Sequence, residues 1–124
     1  MTFSVSAESD VWQDERRTSA LEEASRRKLD AAQSEAFADA VETTFSKVSL
    51  SIAATGRSRR KALRKRRREL IVSGLKANNV EPWIIQAVRL GKWVAYLLPP
   101  PFNVIVPAVL WAVDEMIKAA EEAA

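Results

Sequence analysis

Residues 93–113 read WVAYLLPPPFNVIVPAVLWAV, 21 consecutive positions without a charge, bounded by Lys92 and Asp114. A helix of that length is about 31 Å long, close to the hydrocarbon thickness of a bilayer. Trp93 and Tyr96 at one end and Trp111 at the other resemble the aromatic belts of spanning segments. The three prolines at 99–101 oppose an uninterrupted helix, because each ring removes a backbone donor and Pro99 disfavours helical geometry at Leu98. Three structures fit: one kinked span, a hairpin of 83–98 against 103–120 dipping into one leaflet, or a soluble helical hairpin buried on the N-terminal helix. The two membrane readings are taken forward. Their expected anchors are Trp83, Trp93, Tyr96, Leu97, Leu98, Phe102, Val106, Leu110 and Trp111.

On the N-terminal side of the prolines, WIIQAVRLGKWVAYLL (83–98) has the length of a helix ending near Leu97. Gln86, Arg89 and Lys92 recur every three residues, a polar strip about 120° wide on an otherwise apolar cylinder. Pro82, following Glu81, suits the first position of that helix. On the C-terminal side, FNVIVPAVLWAVDEMIKAA (102–120) forms a second apolar helix, started or kinked by Pro107, with an acidic EEAA tail.

Further upstream, residues 57–68 read RSRRKALRKRRR: nine of twelve are Lys or Arg and none is acidic. On a helix these charges cover the circumference, leaving Ser58, Ala62 and Leu63 as the uncharged strip. Unpaired buried charges cost several kcal/mol each, so the run must face water or a polyanion. The expected contacts are Arg57, Arg59, Arg60, Lys61, Arg64, Lys65, Arg66, Arg67 and Arg68. The run leads into ELIVSGLKANN, where Leu70, Ile71 and Leu75 give an apolar edge that Gly74 weakens and Asn78-Asn79 ends.

Residues 1–9 read as a frayed polar end, and MTFSVSAESD has neither the basic nor the apolar region of a secretory signal. From Asp10 to Ile52 the composition predicts a long helix, since neither Pro nor Gly occurs in 10–55. Ser9 or Asp10 would cap it, Ser19 and Glu22 form a capping-box pattern, and Gly56 would stop it. Phe37, Val41, Phe45, Val48 and Ile52 make its apolar stripe, continued weakly upstream by Leu21, Ala24, Leu29, Ala32 and Ala36. The 37–52 stripe either packs within the chain or pairs with a second copy in a homo-oligomer or larger assembly.

The expected fold class is therefore all-α: a long N-terminal amphipathic helix (1–56), a basic helical segment (57–80), and an apolar helical hairpin or membrane-associated segment broken at Pro99–Pro101 (81–124). Charge is partitioned the same way. Residues 1–56 carry six basic and ten acidic groups, 57–68 carry nine basic groups alone, and 69–124 carry four basic and six acidic. The chain has no Cys and no His, which removes disulfides, thiolate nucleophiles, Cys/His metal sites and imidazole catalysis. Three glycines and no Gly-rich motif leave no phosphate-cradling loop. Glu81 reads as a residue beside a helix start, and Asp114 and Glu115 as the point where the apolar segment meets water, better than as an active site. No enzyme, cofactor or metal is expected.

The cationic run suits nucleic acid phosphates, anionic lipid headgroups or an import receptor. Joined to the apolar C-terminal half, it predicts a non-enzymatic structural protein held at a membrane or in a larger assembly, its basic segment on a polyanion. The charge layout is that of small proteins linking a genome to an envelope or shell, as in a virion. Lys76, Arg89 and Lys92 outnumber Lys118, which places the basic segment on the cytoplasmic or interior side. The alternative is a soluble all-α protein that binds nucleic acid without sequence preference.

Overall fold

A computed structural model describes residues 2–5, 10–48, 50–53 and 56–122, with side chains placed for 15–48 and 61–122. The architecture is all-α, with six helices among the described residues. They are α1 (Asp10–Arg26), α2 (Ala31–Lys47), α3 (Gly56–Ala77), α4 (Pro82–Val88), a 3₁₀ helix (Lys92–Leu97) and α5 (Phe102–Glu122). A short antiparallel ribbon joins β1 (Thr2–Val5) to β2 (Leu50–Ala53), in a register pairing Phe3 with Ile52 and Val5 with Leu50. Residues 2–5 are thus paired backbone and not a frayed end. Both tetrapeptides, TFSV and LSIA, alternate apolar with small or polar residues, which is the period of a strand.

The expected single N-terminal helix is two helices, and the break needs neither Pro nor Gly. Lys28 adopts φ 60°. Its N–H donates to the Ser25 carbonyl and that of Leu29 to the Ala24 carbonyl, the paired bonds that close a helix on a left-handed residue. Asp30 then starts α2 at once. Its side chain accepts from the Gln33 N–H at 2.8 Å, while the Gln33 side chain accepts from the Asp30 N–H at 3.1 Å. Ser19 and Glu22, the sequence's own capping-box candidate, lie inside α1 and cap nothing. α2 stops at Lys47, so Ile52 belongs to β2, and Gly56 opens α3 instead of closing the helix before it.

α5 is the centre of the core. Val106, Val109, Val113, Met116 and Ala120 are fully or almost fully buried at spacings of three and four. They pack against α2 and α3, with α1 lying on α2. Pro107 sits one turn inside α5, whose first turn is closed by the Val104 and Ile105 N–H groups on the Pro101 carbonyl. Phe37, Val41, Phe45 and Val48 are all buried within the chain, leaving none of them exposed to a second copy. Ala20 and Ala24 let α1 approach α2 closely, and Arg17 ties the pair at its edge by reaching Asp39 (3.0 Å) and Glu42 (3.3 Å). The hydrogen bond to Asp39 is the main influence holding the Arg17 guanidinium protonated, whereas burial beside the Phe45 ring, 3.9 Å away, lowers the pKa of Arg16.

Gly74 is where α2, α3 and α5 meet. A Cβ there would lie 2.7 Å from Val109 Cγ1 and 3.2 Å from Thr44 Cγ2. Next to it, Thr44 donates to the Ala40 carbonyl, and Asn78 Nδ2 bridges Thr44 Oγ1 and the Gly74 carbonyl. α3 ends as α1 does, on a left-handed residue: Asn79 has φ 57°, with Val80 donating to the Leu75 carbonyl. Gly74→Val overpacks this junction, so a stability loss of about 1–3 kcal/mol is expected in chemical denaturation. An unchanged unfolding midpoint would contradict the close packing.

Candidate functional site

One edge of α3 is apolar, and it faces the core. Leu63 and Leu75 are fully buried and Leu70 and Ile71 nearly so, at spacings that keep them on one side of the helix. The cations are thereby pushed outward. Lys61, Arg64, Lys65 and Arg68 are exposed, while Arg66 and Arg67 are half-buried. Arg66 reaches Glu69 at 3.7 Å. Arg67 grips Asp114 of α5 with two bonds, Nε at 2.9 Å and Nη2 at 3.4 Å. Arg57, Arg59 and Arg60 belong to α3, but their side chains lie outside the described residues.

The expected helix over 83–98 is broken. α4 ends at Val88, Gly91 is extended, and six residues wind as a 3₁₀ helix before Leu98, which takes the extended geometry that Pro99 favours. A single amphipathic cylinder would have turned one face to the core. The broken segment instead anchors through Ile84, Ile85, Ala95 and Leu98, and lifts other apolar side chains into solvent. Leu90 is 80% exposed, Tyr96 74%, Leu97 73%, Trp93 63% and Trp83 54%. The Trp83 indole donates to the Glu81 carboxylate.

The nine expected anchors are therefore divided. Trp83, Trp93, Tyr96 and Leu97 are exposed. Leu98 and Val106 are buried in the protein's own core, and Phe102, Leu110 and Trp111 pack half-buried against it. The Trp111 ring sits 6.0 Å from that of Phe37. Among the described residues no helix is long and apolar enough to cross a membrane, so the expected transmembrane helix is not present there. The charge-free stretch is interrupted by Pro99 to Pro101, and the face of α5 that would have met lipid meets α2 and α3.

Between α3 and the α4-to-3₁₀ turn lies a groove of about 630 Å³. Its floor is apolar: Ile71, Val72 and Leu75 from α3, Ile85 and Val88 from α4, and Leu110 from α5. Its rim is cationic, with Arg67 and Arg68 on one side and Arg89 and Lys92 on the other. The groove brings the end of the basic run to the polar strip of 83–98, two features that lie 21 residues apart in sequence between Arg68 and Arg89. Leu90, the most exposed large apolar side chain of the described residues, was missing from the sequence-based anchors because it stands between Arg89 and Lys92. Among the described residues no three carboxylates are grouped to hold a metal ion.

No protein-family model, curated protein or solved structure matches this chain.

Asp114 is the acidic partner that offsets one rim cation. Asp114→Asn should cost less than about 1 kcal/mol of stability, as expected of a partly exposed ion pair. It should also raise the salt concentration that elutes the protein from an anionic resin. Earlier elution would mean that Arg67 does not belong to the anion-facing surface.

Proposed function

We propose that this protein is a non-enzymatic, peripheral component of an anionic membrane surface, or of an assembly bounded by one. In this reading α3 supplies the electrostatic attraction, and α4 with the 3₁₀ helix supplies a shallow apolar insertion. The observation that carries it is the clustering of exposed oil beside exposed cations. Of the six exposed large apolar side chains among the described residues, five fall within 83–97, and the sixth, Leu21, is only 37% exposed. Contiguous exposed apolar surface rimmed by polar groups marks an interaction site. Trp and Tyr with aliphatic neighbours and a basic flank fit the headgroup boundary, where each Lys or Arg near an anionic surface contributes about 1 kcal/mol. The basic segment would then face the anionic leaflet, on the cytoplasmic or interior side.

A second reading has one observation in its favour. Trp93 and Tyr96 stand exposed beside Lys92, an arrangement on which unpaired bases can stack. Leu90 and Leu97 separate the two readings, since aliphatic side chains insert into lipid but give bases nothing to stack on. Sedimentation with vesicles rich in phosphatidylserine should therefore succeed, and sedimentation with neutral vesicles should fail. Leu90→Ser with Leu97→Ser should weaken vesicle binding by about tenfold or more, given about 1.5–3 kcal/mol for each fully buried Leu. Polynucleotide binding should not change in that variant. Equal binding of variant and parent to vesicles defeats the lipid reading.

A further inference from the structure

The groove beside α3 combines two surfaces that no single simple ligand satisfies. An inorganic anion would meet the rim and leave the accessible parts of Val72, Val88 and Leu110 wet. A neutral hydrocarbon would cover the floor and leave the cations without a counter-charge. Arg68, Arg89 and Lys92 have no ion-pair partner among the described residues, in contrast to Arg67. Among the described residues the only acid lining the groove, Glu69, is paired with Arg66 and points its side chain largely into solvent. The volume of about 630 Å³ lies within the range of small-molecule sites, roughly 300–1,000 Å³. Gly91 and Lys92 line the groove, and their immediate neighbours in sequence, Leu90 and Trp93, are exposed apolar side chains.

We infer that this groove receives a single acyl chain carrying an anionic head, laid along the half-buried Val72, Val88 and Leu110 with its carboxylate or phosphate between Arg68, Arg89 and Lys92. The inference rests on the surface-binding reading for the source of its ligand, an amphiphile drawn from the anionic leaflet. An acidic amphipathic helix is the competing occupant. The lipid is favoured because these cations and the half-buried Val72, Val88 and Leu110 line one groove of about 630 Å³, a size that suits a small amphiphile better than charges distributed along a peptide.

Titration of the full chain with dodecyl phosphate below its micelle concentration, without vesicles, tests this by calorimetry. One saturable site is expected. Each methylene added between octyl and dodecyl phosphate should tighten binding roughly fourfold, the ratio for burying one CH₂. Dodecyl maltoside should bind at least tenfold more weakly, and inorganic phosphate should show no saturation. Val88→Trp fills the groove and should lose dodecyl phosphate binding at least tenfold while keeping its sedimentation with anionic vesicles. Should that variant not fold, the exposed Lys92→Glu replaces it, expected to weaken dodecyl phosphate at least fivefold and dodecyl maltoside hardly at all. Absence of a saturable site in a parent chain that still binds vesicles overturns the groove assignment alone. Loss of vesicle binding with dodecyl phosphate retained overturns the surface reading and upholds the groove. An acidic amphipathic peptide that saturates the chain when dodecyl phosphate does not would give the groove to a protein partner.

Discussion

The enclosure of α5 is the constraint from which the rest follows. Its buried stripe from Val106 to Ala120 must be covered, and α2 and α3 make the most extensive contact with it. α2 contributes Phe37, Val41 and Phe45, and α3 contributes Leu63, Leu70 and Leu75. The closeness of the three helices is set at Gly74, where a hydrogen in place of a side chain lets Val109 and Thr44 come into contact with α3. Once α3 has turned its one apolar edge inward, its cations have nowhere to go but out. With α2 and α3 covering most of α5, α4 and the 3₁₀ helix bury only Ile84, Ile85 and Ala95 and leave Trp83, Trp93, Tyr96 and Leu97 exposed.

That order of events accounts for the unequal fate of the two halves of the charge-free stretch. Val104 to Val113 is core, and Trp93 to Leu97 is largely surface. An uncharged run of 21 residues records only that no charge is tolerated or needed; whether protein or lipid provides the apolar surroundings is decided elsewhere in the chain. Here the stripes of α2 and α3 enclose α5, while the 3₁₀ segment keeps only Ala95 buried. Chain composition alone therefore could not divide the nine expected anchors into four exposed, three half-buried and two buried.

Other parts of the fold were legible from residue order. The α2 stripe, the helical course of the cationic run, the stop at Asn79 and the end of the 3₁₀ helix before Pro99 follow from periodicity and from proline and asparagine geometry. The break at 27–30 was not read because it depends on Lys28 in a left-handed conformation, a position where glycine is the usual signal. The Asp30 and Gln33 capping box is present in the sequence but is not among the caps expected from it, which are Ser9 or Asp10 and the Ser19 and Glu22 pair. The groove was legible only in pieces: the apolar edge of α3 and the polar strip of Gln86, Arg89 and Lys92 were visible, but their meeting depends on the path between Ala77 and Pro82.

The central claim is that α5 stays within the protein while the 3₁₀ segment carries the exposed apolar surface, and tryptophan placement lets both halves be tested at once. Variants that retain only Trp93 or only Trp111, the others replaced by Phe, would be mixed with anionic vesicles containing lipids brominated along the acyl chain. The account predicts strong quenching and a blue shift for Trp93, with Trp111 emission unchanged by the vesicles. Equal quenching of Trp111 would contradict it, because α5 would then have left its place between α2 and α3 to enter the bilayer.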